Sequence, residues 1–200
     1  VEGGILGLRD KHEDDAESNN IKWIDLVVCN LYPFANTISR KDCSLALALE
    51  NVDIGGPTMI RSAAKNMGWV GVAVNPKDYS IITNELNTNG ALSFDTRKIL
   101  SSKAFGHTAQ YDTIIHNYLK DEKLSDDLSL TFEKHSEMRY GENPHQLASS
   151  YKIPGNTDPN ILNATIHQGK QLSYNNIMDA DGALACVREF DEPACVVVKH

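Results

Sequence analysis

Asp53 is followed by Ile54, then Gly55, Gly56 and Pro57, and twelve residues after it stands Lys65. A carboxylate, a glycine turn and an amine in that order suit proton transfer on a bound ligand. Paired glycines let a backbone turn tightly or approach a ligand closely. The unpaired N–H groups at the helix start that follows can hold an anion or a polar ring edge. An amine serves as acid or base near neutrality once its pKa falls by roughly two to three units. Burial, or the charge of Arg61 one helical turn earlier, would push it that way. Upstream, Cys29, Asn30 and Tyr32 follow an apolar run that reads as a buried strand. Ligands of open α/β sheets sit at the carboxyl ends of strands. Pro33 biases Tyr32 away from helix, leaving its phenol at that end.

Each residue also has a plainer reading. A lysine near a helix end is ordinarily a solvated charge, and the Tyr32 ring equally well packs. Asp53 alone reads as a helix cap, although a cap and a ligand acceptor need the same exposed carboxylate. A second group lies further on. Arg139 and Tyr140 sit in a polar loop, where the guanidinium fork matches a phosphate; a surface arginine is the alternative. Lys199 and His200 follow an apolar run. They could supply a cation for a developing oxyanion and a general base, or merely mark a strand entering a polar loop. The other histidines lack metal-ligand spacing, and His107 and His116 read as helix-surface residues. Neither a Walker-type loop nor G-x-G-x-x-G is present, so ATP or NAD binding has no support.

The elements that must position these residues alternate. Residues 24–28 read as a strand, and 44–50 as a short helix that Ser44 can cap. A helix starts at Pro57, a residue suited to a first turn. Met59, Ile60, Ala63, Ala64 and Met67 form its apolar face, and Gly68 stops it. Residues 69–74 read as a strand, 77–86 as a helix, and 9–20 as a polar loop or short helix. A long helix runs from 93 to 119 with Leu100, Ala104, Thr108, Tyr111, Ile115 and Tyr118 in one stripe. Residues 120–127 form a charged connector, which sets domains of 1–128 and 129–200. Beyond it, Leu128, Leu130 and Phe132 alternate as a strand. Residues 139–146 form a loop, and 149–153 and 161–166 read as strands. Asn176 caps a helix reaching Phe190, with Ile177, Ala180, Leu184 and Val187 inward, and 194–198 is a buried strand. The class is α/β.

The chain of 200 residues has 19 Lys+Arg against 27 Asp+Glu, a net charge of -8. That balance argues against a nucleic-acid surface, and no apolar run is long enough for a membrane span. Four scattered cysteines without a C-x-x-C pair fit a reduced, cytoplasmic setting. The first residue is not methionine and the last follows an apolar run, so the expectation is an internal piece of a longer protein.

The chain resembles the bifunctional purine-biosynthesis enzymes with AICAR transformylase and IMP cyclohydrolase activities. The resemblance rests on Cys29-Asn30-Leu31-Tyr32-Pro33-Phe34 and on residues 3–6, 53–66, 103–105, 107–112, 138–146, 172–176 and 193–200. It implies a cyclohydrolase domain of methylglyoxal-synthase-like fold to about residue 128, its amino-terminal part missing. The start of a cytidine-deaminase-like transformylase domain would follow. By the same resemblance Lys65 would be proton donor and acceptor in ring closure and Tyr32 would assist, while Cys29, Asn30, Asp53, Ile54 and Gly55 would line the base and ribose. Arg139 and Tyr140 would hold AICAR, with Asn176 beside them. His200 would take the proton of the attacking amine, and Lys199 would stabilise charge on the moving formyl group.

The co-substrate implied is 10-formyltetrahydrofolate, with no tightly bound cofactor and no metal. The partners implied are small nucleotides and a second copy in a homodimer, not nucleic acid or membrane. Glu2 stands where many relatives carry histidine, and the family's basic phosphate-binding loop lies upstream of Val1. Two other functions share the first fold: a methylglyoxal-synthase-like phosphate lyase and a non-catalytic, allosteric nucleotide-binding domain. The lyase would have no use for the second half.

Overall fold

The computed structural model describes residues 1–120, 126–156 and 158–199. The chain divides into two units, Val1–Ser129 and Leu130–His200. The first holds α1 (Glu2–Leu6), α2 (Glu13–Ser18), β1 (Leu26–Val28), α3 (Phe34–Ile38), α4 (Leu45–Glu50), α5 (Gly55–Lys65) and β2 (Gly71–Ala73). A 3-10 turn at Pro76–Asp78, α6 (Tyr79–Asn89) and α7 (Phe94–Leu119) complete it.

β1 and β2 pair in parallel, Val27 opposite Val72. Parallel strands need a crossover, and α3 to α5 provide it. α5 therefore runs from the carboxyl rim of the sheet back to its amino rim. Its inner face, Ile60, Ala63 and Ala64, packs on Val70, Val72 and Ala104. α7 lies beside α5 in the opposite direction: the Ser101 hydroxyl donates to the Ala64 carbonyl at 2.8 Å, while Tyr111, ten residues on, meets the start of α5. The sequence reading of α7 holds. Ser93 caps it by accepting from the Thr96 N–H at 3.2 Å, and Leu100, Ala104, Thr108 and Tyr111 are buried along it. Ile115 and Tyr118 pack at the edge of a cluster formed by Phe34, Ala48 and Tyr111. Ser44 caps α4 as expected, accepting from the Leu47 N–H at 3.2 Å.

Both ends of α5 and of α6 differ from the sequence reading. α5 opens at Gly55, ahead of Pro57, with Ile54 at the N-cap position and the Asp53 carboxylate before it accepting from the Gly56 N–H; the proline still lies in the first turn, where it needs no N–H. The helix ends at Lys65 rather than near Gly68. Buried Asn66 follows, and its side-chain amide donates to the carbonyls of Ile5 and Gly7 at 2.6 and 3.1 Å, tying α1 to this end. α6 starts after the 3-10 turn and stops at Gly90, whose φ of +71° favours glycine.

In the second unit β3 (Glu133–Glu137) pairs antiparallel with β4 (Ser149–Lys152), a 3-10 turn occupies Ile161–Asn163, and α8 spans Tyr174–Val187. The strand expected at Leu128, Leu130 and Phe132 is not formed; the polar run after it pairs instead, because register with β4 decides which residues enter the ladder. Residues 161–166 are not a strand either: Asn160 accepts from the Leu162 N–H at 3.0 Å and closes a tight turn. The buried strand expected at 194–198 is absent. No ladder partner meets it among the described residues, and Val197 and Val198 are exposed. The connector at 121–125 lies outside the described residues. Among the described residues no helix is long and apolar enough to cross a membrane.

Candidate functional site

Asp53 is the fixed point of the first unit. It lies in the turn that leads α4 into α5, at the carboxyl rim of the sheet. Its Oδ1 accepts from the Gly56 N–H at 2.8 Å, and its Oδ2 accepts from the Tyr32 N–H at 3.3 Å. One carboxylate thus caps α5 and ties the β1 end to the α5 start. A carboxylate offers about four lone-pair sites, so acceptor capacity is left for a ligand. Gly56 leaves room for this contact. A Cβ there would stand 2.7 Å from Asp53 Oδ2 and 2.7 Å from Leu31 Cδ2.

The other residues of the group surround that carboxylate. Tyr32 is 56% exposed, so its ring is not part of the buried core. Ile54 is 73% exposed, and a Cβ on Gly55 would meet nothing, so the rim is open above the helix start. The Cys29 N–H donates to the Ala73 carbonyl at 3.0 Å, which continues the β1–β2 pairing. Burial first, and the Asp53 charge second, push the Cys29 thiol up. It therefore stays protonated at neutral pH and lines the site rather than attacking anything. Asn30 follows it, exposed.

Lys65 is not brought to this group. It closes α5, about 15 Å along the helix axis from Gly55. It is exposed at the amino rim, six residues before β2 begins. Arg61 turns away as well, its guanidinium 5.5 Å from the centre of the Phe105 ring. Of the expected meeting of phenol, acid and amine, the structure joins the Tyr32 backbone to the Asp53 carboxylate and holds Lys65 at the far end of α5.

Sequence reasoning missed Tyr111 as part of the site. Its hydroxyl accepts from the Asp53 N–H at 2.8 Å and lies 3.4 Å from the Asn51 carbonyl. The signal was available, since a tyrosine on the buried stripe of a helix needs a partner for its hydroxyl. One turn earlier on α7, His107 is not the surface residue expected: its Nε2 is buried without a hydrogen-bond partner among the described residues, and burial pushes its pKa down.

In the second unit Arg139 and Tyr140 do come together. The guanidinium donates to the Tyr140 hydroxyl at 3.0 Å and lies 4.8 Å from its ring centre. The Arg139 N–H donates to the Leu172 carbonyl, and the Tyr140 carbonyl accepts from the Tyr174 N–H, so the start of α8 holds the pair. Asn176 is not the cap of α8. Ser173 is, accepting from the Asn176 N–H, and Asn176 completes a capping box by accepting from the Ser173 N–H at 3.2 Å. Its carbonyl oxygen is used there, leaving its amide N–H groups for a ligand. Ile177, Ala180, Leu184 and Val187 are half-buried along α8. Lys199 is exposed, and His200 lies outside the described residues. Among the described residues no group of three or more His, Cys, Asp or Glu is arranged to hold a metal ion.

Comparison with known proteins adds the family. The sequence profile of the AICARFT/IMPCHase bienzyme matches residues 63–200. The chain is 50% identical over 205 residues to the bifunctional purine biosynthesis protein PurH of Bacillus cereus strain AH187, covering 100% of this chain and 40% of that protein. PurH of Bacillus anthracis strain A0248 matches with the same identity and coverage. The chain therefore spans about 40% of the length of these curated relatives. Among solved structures, the crystal structure of ForH is 31% identical, covers 58% of this chain and 61% of its own, and gives a TM-score of 0.48.

Proposed function

We propose, because the chain belongs to the AICARFT/IMPCHase bienzyme family, that its first unit carries a ring-closing site and its second the opening of a formyl-transfer site. The observation that carries this reading is the Asp53 carboxylate bridging the Tyr32 and Gly56 N–H groups at the carboxyl rim. We take the first unit to be methylglyoxal-synthase-like and the second to open a cytidine-deaminase-like domain. The whole protein would act in the cytoplasm as a homodimer on small nucleotides.

In the first step proposed, the amine of AICAR attacks the formyl carbon of 10-formyltetrahydrofolate. The amine is a weak nucleophile because its lone pair is delocalised into the ring. Arg139 and Tyr140 hold the nucleotide, and Lys199 stabilises charge developing on the formyl oxygen. His200 takes the proton lost by the attacking nitrogen, the bond from the formyl carbon to N10 breaks, and tetrahydrofolate leaves with a proton gained at N10.

In the second step the carboxamide nitrogen of formyl-AICAR attacks the formyl carbon. The carbinolamine so formed loses water, its C–O bond breaking as the ring gains its double bond, and IMP results. Oxidation states are unchanged over both steps, so what the protein supplies is alignment and proton transfer. Asn30, Asp53, Ile54 and Gly55 line the base and ribose with Cys29, and Tyr32 moves protons through its hydroxyl or a water. Lys65 enters this reading only through the family resemblance, since α5 holds it away from Asp53.

The test is to assay the full-length protein for AICAR-dependent consumption of 10-formyltetrahydrofolate and for conversion of formyl-AICAR to IMP. Both activities are expected. Nucleotide binding without turnover would replace this reading with that of an allosteric module.

A further inference from the structure

Tyr111 is 58 residues from Asp53 in sequence and touches its backbone. The side chain is 7% exposed, and its ring meets Phe34 edge-on with centroids 6.3 Å apart at 71°. The ring belongs to the core; the hydroxyl does something else. A phenol has one O–H to donate and lone pairs to accept with. Here the oxygen accepts from the Asp53 N–H and the O–H points to the Asn51 carbonyl. Both bonds grip the turn that delivers Asp53 to the start of α5. Asp53 is thereby held at its amide nitrogen as well as at both carboxylate oxygens. Burial pushes the Tyr111 phenol above its ordinary value, so the O–H is retained at neutral pH.

We propose that Tyr111 is a positioning residue of the ring-closing site, its hydroxyl fixing the Asp53 backbone so that the carboxylate faces the nucleotide. This rests on the reading of Asp53 as a nucleotide-binding group. Phenylalanine at 111 would keep the ring packing and remove only the hydroxyl. The Asp53 N–H then loses its acceptor, and the turn gains freedom that nucleotide binding must remove.

The test uses the full-length protein, with IMP as probe. IMP dissociation constants are measured for the unsubstituted protein, Tyr111→Phe, Asp53→Asn and the double variant, with thermal melting and formyl transfer as controls. Tyr111→Phe is expected to weaken IMP binding about tenfold while melting and formyl transfer change little. In the Asp53→Asn background the same change is expected to cost no more than about twofold, because the hydroxyl acts through Asp53. Equal losses in both backgrounds mean a merely structural tyrosine and overturn the inference. So does unchanged affinity in Tyr111→Phe when Asp53→Asn is impaired. Unchanged affinity in Asp53→Asn itself overturns the reading of the site beneath it. Amide exchange in the unsubstituted protein reads the same bond without a variant: exchange of the Asp53 N–H is expected to slow when IMP binds, and no change on binding counts against the proposal.

Discussion

Asp53 precedes the start of α5 and Lys65 closes it, so a helix rising about 15 Å separates them. Asp53 is at the carboxyl rim of the sheet and Lys65 at the amino rim, with the length of α5 between them. In the full-length protein Lys65→Ala should therefore cost ring closure less than tenfold in kcat/KM. A loss of a hundredfold or more, with KM unchanged, would mean that the amine acts in a site that this copy of Asp53 does not build.

Gly56→Ala places a methyl group 2.7 Å from Asp53 Oδ2 and from Leu31 Cδ2. Either the carboxylate or the leucine must move. We expect destabilisation of about 1–3 kcal/mol, together with weaker binding of IMP. Urea unfolding followed by the fluorescence of Trp23 and Trp69, both in the first unit, measures the first; calorimetric titration measures the second.

Ser173 is 1% exposed and caps α8 through a reciprocal capping box with Asn176. Ser173→Ala removes that cap at a cost of about 1 kcal/mol. The start of α8 also holds Tyr140, whose carbonyl accepts from the Tyr174 N–H. Formyl transfer should therefore show a raised KM for AICAR while ring closure is unaffected. Faster amide exchange in the first turn of α8 is the structural check.

His107 predicts a pH dependence. Burial depresses its pKa in the folded chain, so below about pH 6.5 the unfolded chain binds the proton that the folded one refuses. Stability is full above that value, falls as the pH drops towards the depressed native pKa, and levels off below it. Urea midpoints followed by tryptophan fluorescence between about pH 7.5 and 5 should fall less in His107→Gln than in the unsubstituted protein. Identical profiles would remove His107 as the cause.

The sequence was most legible where one pattern ran long. α7 could be read because its stripe runs from Leu100 to Tyr118 along a 26-residue helix that begins at a serine cap. Asp53 and Tyr32 could be read because the glycine pair and Pro33 punctuate the chain beside them. Lys65 lies only twelve residues from Asp53 in sequence, but a helix carries its two ends apart. Tyr111 was seen as core and missed as a contact of Asp53, because a hydroxyl's partner 58 residues away leaves no local pattern. In the second unit Leu128, Leu130 and Phe132 alternate like a strand, yet the polar residues 133–137 pair instead. A short alternation specifies no partner, and the ladder is set by the opposing strand.

The most direct measurement is the rate of both reactions in the full-length Asp53→Asn protein. The substitution keeps the shape and removes the charge. The account predicts that conversion of formyl-AICAR to IMP falls at least a hundredfold while formyl transfer from 10-formyltetrahydrofolate stays within about twofold of normal. Ring closure at its normal rate, in a protein that is folded and still transfers formyl groups, would contradict it.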